Sequence, residues 1–438
     1  MSAHLTADPA STEPVPTDLS STNPSSPDSA PTGSGAGPRR TPPKVRRPAP
    51  SPRVASPVVA RLAAELADAA TERESADALA AFWAGLRSPV IEPDGDEWTV
   101  SFFWRDAGAD EVLLFVNRLT DERDLDRSLM ERLPGTDLWH LAYRMPGDWR
   151  ASYAVVPKQP GQPAPWRDLA EQVSLRAALD RGLPDPFNPH AMRNRVGNPV
   201  SVAELPDAPV QAWLAPRGPL RGVLTHHELG GRRPAVYRSA EFTAGGPVLV
   251  ALDGEMWLSQ LSLPAIVDNL IADGLIRAPL VLLVPGGERT QRWAELNGSG
   301  GMPDWIADVL LPWAVADHEA ARDAADRVVA GQSLGGAVAL LTAAERPDAV
   351  GAFLAQSASL WQDGLSDRAA AMPATSRGYL EVGGQEWVLL EPNRQLHRRL
   401  GDAGVRHHYT EFNGGHDYAC WRGGIADGLR AVLPPLAG

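Results

Sequence analysis

The chain has 438 residues, 43% of them hydrophobic, and its 41 Lys and Arg against 54 Asp and Glu leave a formal net charge of −13. That length predicts two or three domains with ample core, the acidic balance argues against general nucleic-acid binding, and Cys420 as sole cysteine excludes an intramolecular disulfide or an all-cysteine zinc site. Residues 1–21 lack a basic-then-apolar leader and no apolar run reaches about 18 residues, so neither a secretory signal nor a membrane span is expected, and a cytoplasmic location is.

Residues 1–57 are dominated by Pro, Ser, Thr, Ala and Gly and predict a disordered leader, in which Arg39, Arg40, Lys44, Arg46, Arg47 and Arg53 read as solvated charges between prolines. From Val58 to about Leu86 the spacing of Leu62, Leu66, Ala69, Leu79, Phe82 and Trp83 predicts a helix that Pro89 ends. Short β-type runs follow at Glu97–Trp104, Glu111–Leu119, Leu138–Arg144 and Ala151–Pro157, broken by Asp94-Gly95 and Pro134-Gly135. They predict a small antiparallel sandwich. The Pro-rich stretch 159–215 reads as an irregular connection, so 58–215 is taken as an N-terminal domain and 216–438 as a second one. There, apolar strands at Ala235–Phe242, Pro247–Leu252, Leu280–Val284, Arg327–Ala330, Ala349–Gln356, Tyr379–Val382 and His408–Phe412 alternate with helical patterns at Ala265–Ala272, Trp305–Ala316, Gly335–Ala344 and Asn393–Leu400. The fold class is therefore α/β, with a mostly parallel sheet.

The sharpest motif is Gly331-Gln332-Ser333-Leu334-Gly335, set between the strand ending at Ala330 and a helical run. That is the strand–turn–helix context of a nucleophile elbow, which exposes a serine at the carboxyl end of a sheet beside a helix N-terminus. A serine needs a base to become nucleophilic. Among the ten histidines, His416 in Asn413-Gly414-Gly415-His416-Asp417 lies in a loop after the last strand, where two glycines would let the backbone turn sharply. His407-His408 and His226-His227 read as strand or surface pairs, and no ligand cluster suggests a metal. The acid should follow the strand Tyr379–Val382 to orient the imidazole. Glu386 fits, ahead of Glu381 inside the strand, Glu391 at the start of the next helix and Asp417 beside the base. Backbone N–H groups of Leu334 and of Glu255, in the loop Asp253-Gly254-Glu255, are the expected oxyanion donors. Cys420 reads as a small buried residue.

With these residues placed, the chain resembles the enterochelin (enterobactin) esterase family, within the esterase-D-like α/β hydrolases. The likeness is carried by Ala251–Trp257 (ALDGEMW), Arg292–Leu296 (RWAEL), Ala330–Ser333 (AGQS), Gly414–Asp417 (GGHD) and Cys420–Gly424 (CWRGG). In the N-terminal part it is carried by Phe103–Asp106, Asp148-Trp149-Arg150 with Ser152-Tyr153, and Asp185-Pro186 with Asn188, so that it runs from about residue 97 to 436. The resemblance implies an α/β-hydrolase domain behind an N-terminal substrate-binding domain, acting in the cytoplasm on the serine trilactone backbone of ferric catecholate siderophores. It implies Ser333 as nucleophile, His416 as base and Glu386 as acid, with no cofactor and with iron present only as part of the substrate. A ferric tris-catecholate is multiply anionic and aromatic, so its pocket should offer guanidinium groups and aromatic faces. Arg105, Arg150, Arg292 and Arg422, with Trp104, Trp149, Trp257 and Trp421, are the candidates.

Two other readings use the same residues. One is an esterase or acyltransferase of this fold acting on another ester, such as a sugar-linked aromatic acyl group. The other, from a different class, is a siderophore-binding protein without catalysis, against which the ordered Ser/Glu/His set argues. No pattern in the sequence specifies an oligomeric state.

Overall fold

The computed structural model of the chain describes residues 42–43, 45, 51–167 and 172–435, and most of the leader expected at 1–57 lies outside them. The last leader residues are placed against a sheet: Val54 N–H donates to Ala142 O at 3.1 Å, and Arg144 N–H donates to Pro52 O at 3.1 Å.

Strands β1 (Val90–Asp94), β2 (Glu97–Arg105), β3 (Glu111–Val116), β4 (Glu131–Arg132), β5 (Leu138–Met145), β6 (Arg150–Lys158), β7 (Ala191–Arg193) and β8 (Pro199–Glu204) make two antiparallel sheets, ordered β1-β2-β5-β4 and β3-β6-β8-β7. Val100, Phe102, Leu141 and Tyr143 of the first sheet pack against Val112, Leu114, Tyr153 and Val155 of the second, forming the core of a sandwich. The strands nonetheless read as continuous apolar runs, because their outer faces are covered as well. Phe103 and Leu138 lie under the helices Pro57–Asp68 and Glu72–Gly85, and Leu113 and Phe115 lie under the helix Gln172–Leu179. Full burial of a Phe103-sized side chain contributes about 2–3 kcal/mol.

Two expectations need correction. The single helix expected over 58–86 is two, because Thr71 accepts from Glu74 N–H at 3.2 Å and starts a second one. The stretch 159–215 is not merely irregular, since β7 and β8 complete the second sheet. Pro199 stands at the first position of β8, where a missing N–H is tolerated.

The second sheet system contains β9 (Val223–His226), β10 (Ala235–Arg238), β11 (Val248–Leu252), β12 (Leu280–Val284), β13 (Arg327–Gln332), β14 (Ala352–Gln356), β15 (Arg377–Gly383) and β16 (Arg406–Phe412), in the order β16-β15-β14-β13-β11-β12-β10-β9. Neighbours from β16 to β12 pair in parallel, and β10 and β9 add an antiparallel edge. One face is covered by the helix Leu334–Glu345, whose residues through Ala343 are buried all round, and the other by Leu263–Ala272 and Tyr418–Val432. β11, β13, β14, β15 and β16 therefore all deliver their following residues to one edge, where open parallel sheets bind ligands. Among the described residues no helix is long and apolar enough to cross a membrane.

Candidate active site

Ser333 stands between β13 and the helix Leu334–Glu345 at φ 59°, ψ −115°. A serine rarely adopts that conformation, and it is held there by the chain on both sides. Ser333 N–H donates to Gln356 O at 3.0 Å, and Ser333 O accepts from Ser359 N–H at 2.9 Å and Ala337 N–H at 3.1 Å. The glycines around it permit close approach: a Cβ on Gly331 would overlap the Gly335 backbone, and one on Gly336 would crowd Gln356 O. The Ser333 hydroxyl is paired with Ser359 Oγ at 3.1 Å and not with His416. Ser333 and His416 thus share an edge without sharing a hydrogen bond, and serine–histidine contacts of this kind often tighten only around bound substrate.

His416 Nδ1 is hydrogen-bonded to Glu386 Oε2. Glu386 is 1% exposed, and its Oε1 accepts from Ser357 Oγ at 2.5 Å and Gly383 N–H at 2.9 Å. Burial pushes its carboxyl up, but His416, Arg118 and the Ser357 hydrogen bond outweigh this and hold it below the usual carboxylate range. Burial pushes the His416 imidazole down, Glu386 opposes this, and Arg118 and Arg176 add to it, so that the ring is neutral at pH 7. The rival carboxylates have other partners. Asp417 caps the helix Tyr418–Val432, Glu391 pairs with Arg398 at 2.9 Å, and Glu381 is buried in a separate network.

That network runs from the helix Gly254–Ser259 after β11 across β13, β14 and β15. Trp257 Nε1 donates to Gln332 Oε1 (2.9 Å), Gln332 Nε2 to Gln356 Oε1 (2.7 Å), and Gln356 Nε2 to Glu381 Oε1 (2.5 Å). Tyr379 donates to Glu381 Oε2 from the far side (2.8 Å). This chain of hydrogen bonds leads to Glu381, whose carboxyl burial raises to about 7, while Gln356 Nε2 also donates to Trp421 O at 2.9 Å. A Cβ on Gly424, in the Cys420–Gly424 motif, would overlap that carboxyl group.

At the end of β11, Asp253 is fully buried. Burial would raise its carboxyl, but Arg292 and Arg195 lower it to about 2, Arg292 through a two-pronged contact at 2.6 and 2.7 Å. Arg292 also reaches Gln332 O at 3.4 Å, so it braces the elbow against the neighbouring strand end. Glu255 accepts from Gly286 N–H at 2.8 Å and pairs with Arg195 at 3.3 Å. Its amide and that of Leu334 lie in the first turns of helices following the adjacent strands β11 and β13, where N–H groups have no acceptor within the helix.

The histidine loop is fastened to the N-terminal sandwich. Asn117 Nδ2 donates to His416 O at 2.9 Å, Ser152 N–H to Asp417 Oδ2 at 2.6 Å, and Arg150 N–H to Asn413 O at 3.2 Å. Asn413 Nδ2 in turn donates to Asp148 Oδ1 at 2.6 Å. The two loop glycines do not supply the sharp turn that the sequence suggests, as neither has a positive φ. They admit neighbours instead: a Cβ on Gly414 would overlap Cys420 Sγ, and one on Gly415 would overlap Arg118.

The expected substrate-facing residues separate into groups. Arg292 lies beside the elbow, as above, and shares Asp253 with the partly buried Arg195, a residue that sequence reasoning passes over. Trp257 and Trp421 are 1% and 3% exposed and present no face to a ligand. Trp421 holds Ser357 Oγ at 2.9 Å and meets the His416 ring edge-on at 4.7 Å, so both are corrected to supports. Trp149 is buried, with Nε1 on Gln385 Oε1 at 3.4 Å. Arg150 is buried on Glu204 (2.9 Å) and Pro209 O (2.7 Å), and Arg422 is held by Gln211 (3.0 Å). Arg105 pairs with Asp137 at 2.7 Å over the Trp83 ring, and Trp104 packs on the sandwich core. Arg150, Arg422 and Arg105 each have a protein partner, and Arg105 stays half-exposed. Sequence reasoning also passes over Ser357, Ser359, Asn117 and Arg118. The first two could be found by asking which polar residues end the strand next to the nucleophile. The other two depend on packing between distant segments. Among the described residues no His, Cys, Asp and Glu side chains cluster to hold a metal ion.

Two family profiles match the chain, "Enterochelin esterase, N-terminal" over residues 99–214 and "Putative esterase" over residues 231–432. An iron(III) enterobactin esterase of Escherichia coli O6:H1 is 30% identical over 392 residues, covering 81% of this chain and 96% of that protein. An iron(III) salmochelin esterase of the same organism is 33% identical over 389 residues, covering 80% and 92%. The crystal structure of an enterobactin esterase from Shigella flexneri in the presence of enterobactin matches with a TM-score of 0.68 and 25% identity, covering 80% of this chain and 97% of that one.

Proposed function

The chain belongs to the enterochelin (enterobactin) esterase family, and from that membership we propose that it hydrolyses the ester backbone of ferric catecholate siderophores of the enterobactin type. It is a carboxylic ester hydrolase. The observation that carries the substrate class is that the match to an iron(III) enterobactin esterase spans 81% of this chain, sandwich and parallel-sheet regions together.

In this reading Ser333 Oγ attacks an ester carbonyl while His416 Nε2 takes its proton, and Glu386 fixes the ring through Nδ1 and balances the imidazolium. The Leu334 and Glu255 amides receive the oxyanion. His416 then returns the proton to the departing serine alkoxide, and water, activated by the same ring, releases the acyl group from Ser333. The segment 58–215 serves as a substrate-binding module that also positions the histidine loop. No cofactor enters, iron arrives with the substrate, and the cytoplasm is the compartment that goes with the family's reaction.

The test is incubation with ferric and iron-free enterobactin followed by mass-resolved product analysis. Linear trimer, dimer and monomer of 2,3-dihydroxybenzoylserine are the expected products. Hydrolysis of a simple activated ester with enterobactin left intact would keep the triad and overturn the substrate class.

A further inference from the structure

The hairpin turn between β7 and β8 carries an arginine from the sandwich to the loop after β11. The shape of the turn is fixed locally. Asn194 Oδ1 accepts from Val196 N–H at 3.1 Å and from Asn198 N–H at 3.0 Å, while Asn194 Nδ2 donates to Asp180 O at 2.7 Å. Arg195, within that turn, is thereby presented to three side chains outside the sandwich. Its Nη2 donates to Asp253 Oδ1 at 3.0 Å and to Glu255 Oε1 at 3.3 Å, and its Nη1 donates to Tyr418 OH at 3.4 Å.

Asp253 starts the helix Gly254–Ser259 in a conformation that needs support. It sits at φ 55°, ψ 42°, in the left-handed region that costs a residue with a Cβ, and its side chain caps no N–H of that helix. Its carbonyl accepts from Met256 N–H at 2.9 Å and Trp257 N–H at 3.4 Å, which leaves the amides of Gly254 and Glu255 without an acceptor in the helix. The conformation of Asp253 therefore decides where the Glu255 amide is aimed. Charge holds it from two directions: Arg292 grips the carboxylate from the helix Arg289–Leu296, and Arg195 grips it from the sandwich. Arg195 also holds the Glu255 side chain, whose other oxygen accepts from Gly286 N–H at 2.8 Å.

We propose that Arg195 is a positioning residue for the oxyanion site, through which the N-terminal sandwich sets the turn whose Glu255 amide receives the developing negative charge. The inference rests on the serine-esterase reading above, in which Leu334 and Glu255 supply the donors. A guanidinium suits this task because its rigid fork can hold two carboxylates in one geometry, whereas an ammonium is a point charge on a flexible stem. An oxyanion donor lowers the barrier only when aimed at the place where charge develops. Loss of Arg195 should therefore appear in kcat and leave KM nearly alone.

The test compares wild type, Arg195→Met and Arg195→Lys on 4-nitrophenyl acetate and on its thionoester, whose carbonyl sulfur is a poor hydrogen-bond acceptor. Arg292 keeps its two-pronged hold on Asp253 in both variants, so they should fold, and melting curves check that they do. Wild type should strongly favour the oxygen ester. Arg195→Met should lower kcat for that ester about tenfold, part of the roughly 10²–10³-fold that one lost oxyanion donor costs, with KM within about twofold. Its preference for oxygen over sulfur should shrink several-fold, a change that a merely structural role would not produce, and Arg195→Lys should recover part of both losses. Wild-type kcat and a wild-type oxygen-to-sulfur ratio in Arg195→Met would overturn the positioning role and leave the oxyanion assignment standing. A wild-type enzyme that prefers the oxygen ester no more than hydroxide ion does in solution would overturn the oxyanion assignment, and the inference with it. A raised KM for ferric enterobactin with unchanged kinetics on the neutral ester would make Arg195 a substrate contact and overturn the positioning role as well.

Discussion

The side-chain amide of Asn117 donates to the backbone carbonyl of His416 at 2.9 Å, joining residues 299 positions apart. His416 is the ring that meets Glu386, so a turn of the N-terminal sandwich holds the histidine backbone while Glu386 holds its ring. The sandwich therefore helps to hold the His416–Glu386 pair, and each of its contacts with the histidine loop can be broken separately.

Asn117→Ala removes the donor and leaves the His416 carbonyl unpaired in a half-buried place. Such a loss is worth about 1–3 kcal/mol, and we expect kcat to fall roughly ten- to hundredfold with KM little changed. Steady-state kinetics alongside a melting curve check this. A variant that melts like wild type and turns over at the wild-type rate would remove the positioning role.

The pH profile follows from the groups around the imidazole. Burial, with Arg118 and Arg176 adding to it, holds His416 below its ordinary range despite Glu386. In the proposed mechanism His416 acts as base only when neutral, so kcat/KM for a neutral ester should rise with pH along a limb centred below about 6.5. Arg118→Gln removes a cation, makes protonation easier and should move that limb to higher pH. A limb at or above about 6.5 that the substitution leaves in place would contradict the electrostatic assignment.

Gly415→Ala is tolerable to the backbone but collides with Arg118 Cβ and Cγ and with Asn117 Oδ1. Overpacking of that kind costs about 1–3 kcal/mol, and here it also displaces the base. Adding Arg118→Gly clears the space and suits the positive φ, so the double variant should recover most of the lost stability. Denaturant unfolding of the three proteins decides it. Equal stability of the single and double variants would show that the glycine serves another purpose.

Glu381 makes stability depend on pH. In the folded chain burial raises its carboxyl to about 7, against an ordinary value near 4.5. Between these two pH values the folded state holds a proton that the unfolded state has released. Stability from this group is therefore full below about 4.5, declines as pH rises to about 7 and is then constant. The decline amounts to roughly 3 kcal/mol, and Glu381→Gln should lack it. Parallel stability-versus-pH curves for wild type and variant would refute the assignment.

Much of this was legible in the sequence for physical reasons that can be named. Apolar strands buried on both faces, such as Leu280–Val284, and the glycines around Ser333 announce a parallel sheet with an elbow. Glu386 could be placed by its position after β15. What was not legible depends on contacts between distant segments. The Trp and Arg residues of the N-terminal motifs look like ligand groups by chemistry, yet Arg150 is consumed by Glu204 and Trp149 by Gln385. Arg118 and Asn117 have no local signature, because their meaning comes from the loop they meet. Gly415 illustrates the same limit: its glycine requirement reflects a neighbour, whereas sequence alone suggests a turn.

The most direct measurement of the central claim compares wild type with Ser333→Ala for hydrolysis of ferric enterobactin, with binding measured on the same preparations. Loss of turnover by at least about 10⁴-fold with affinity retained is the predicted result. Turnover within tenfold of wild type would show that Ser333 is not the nucleophile.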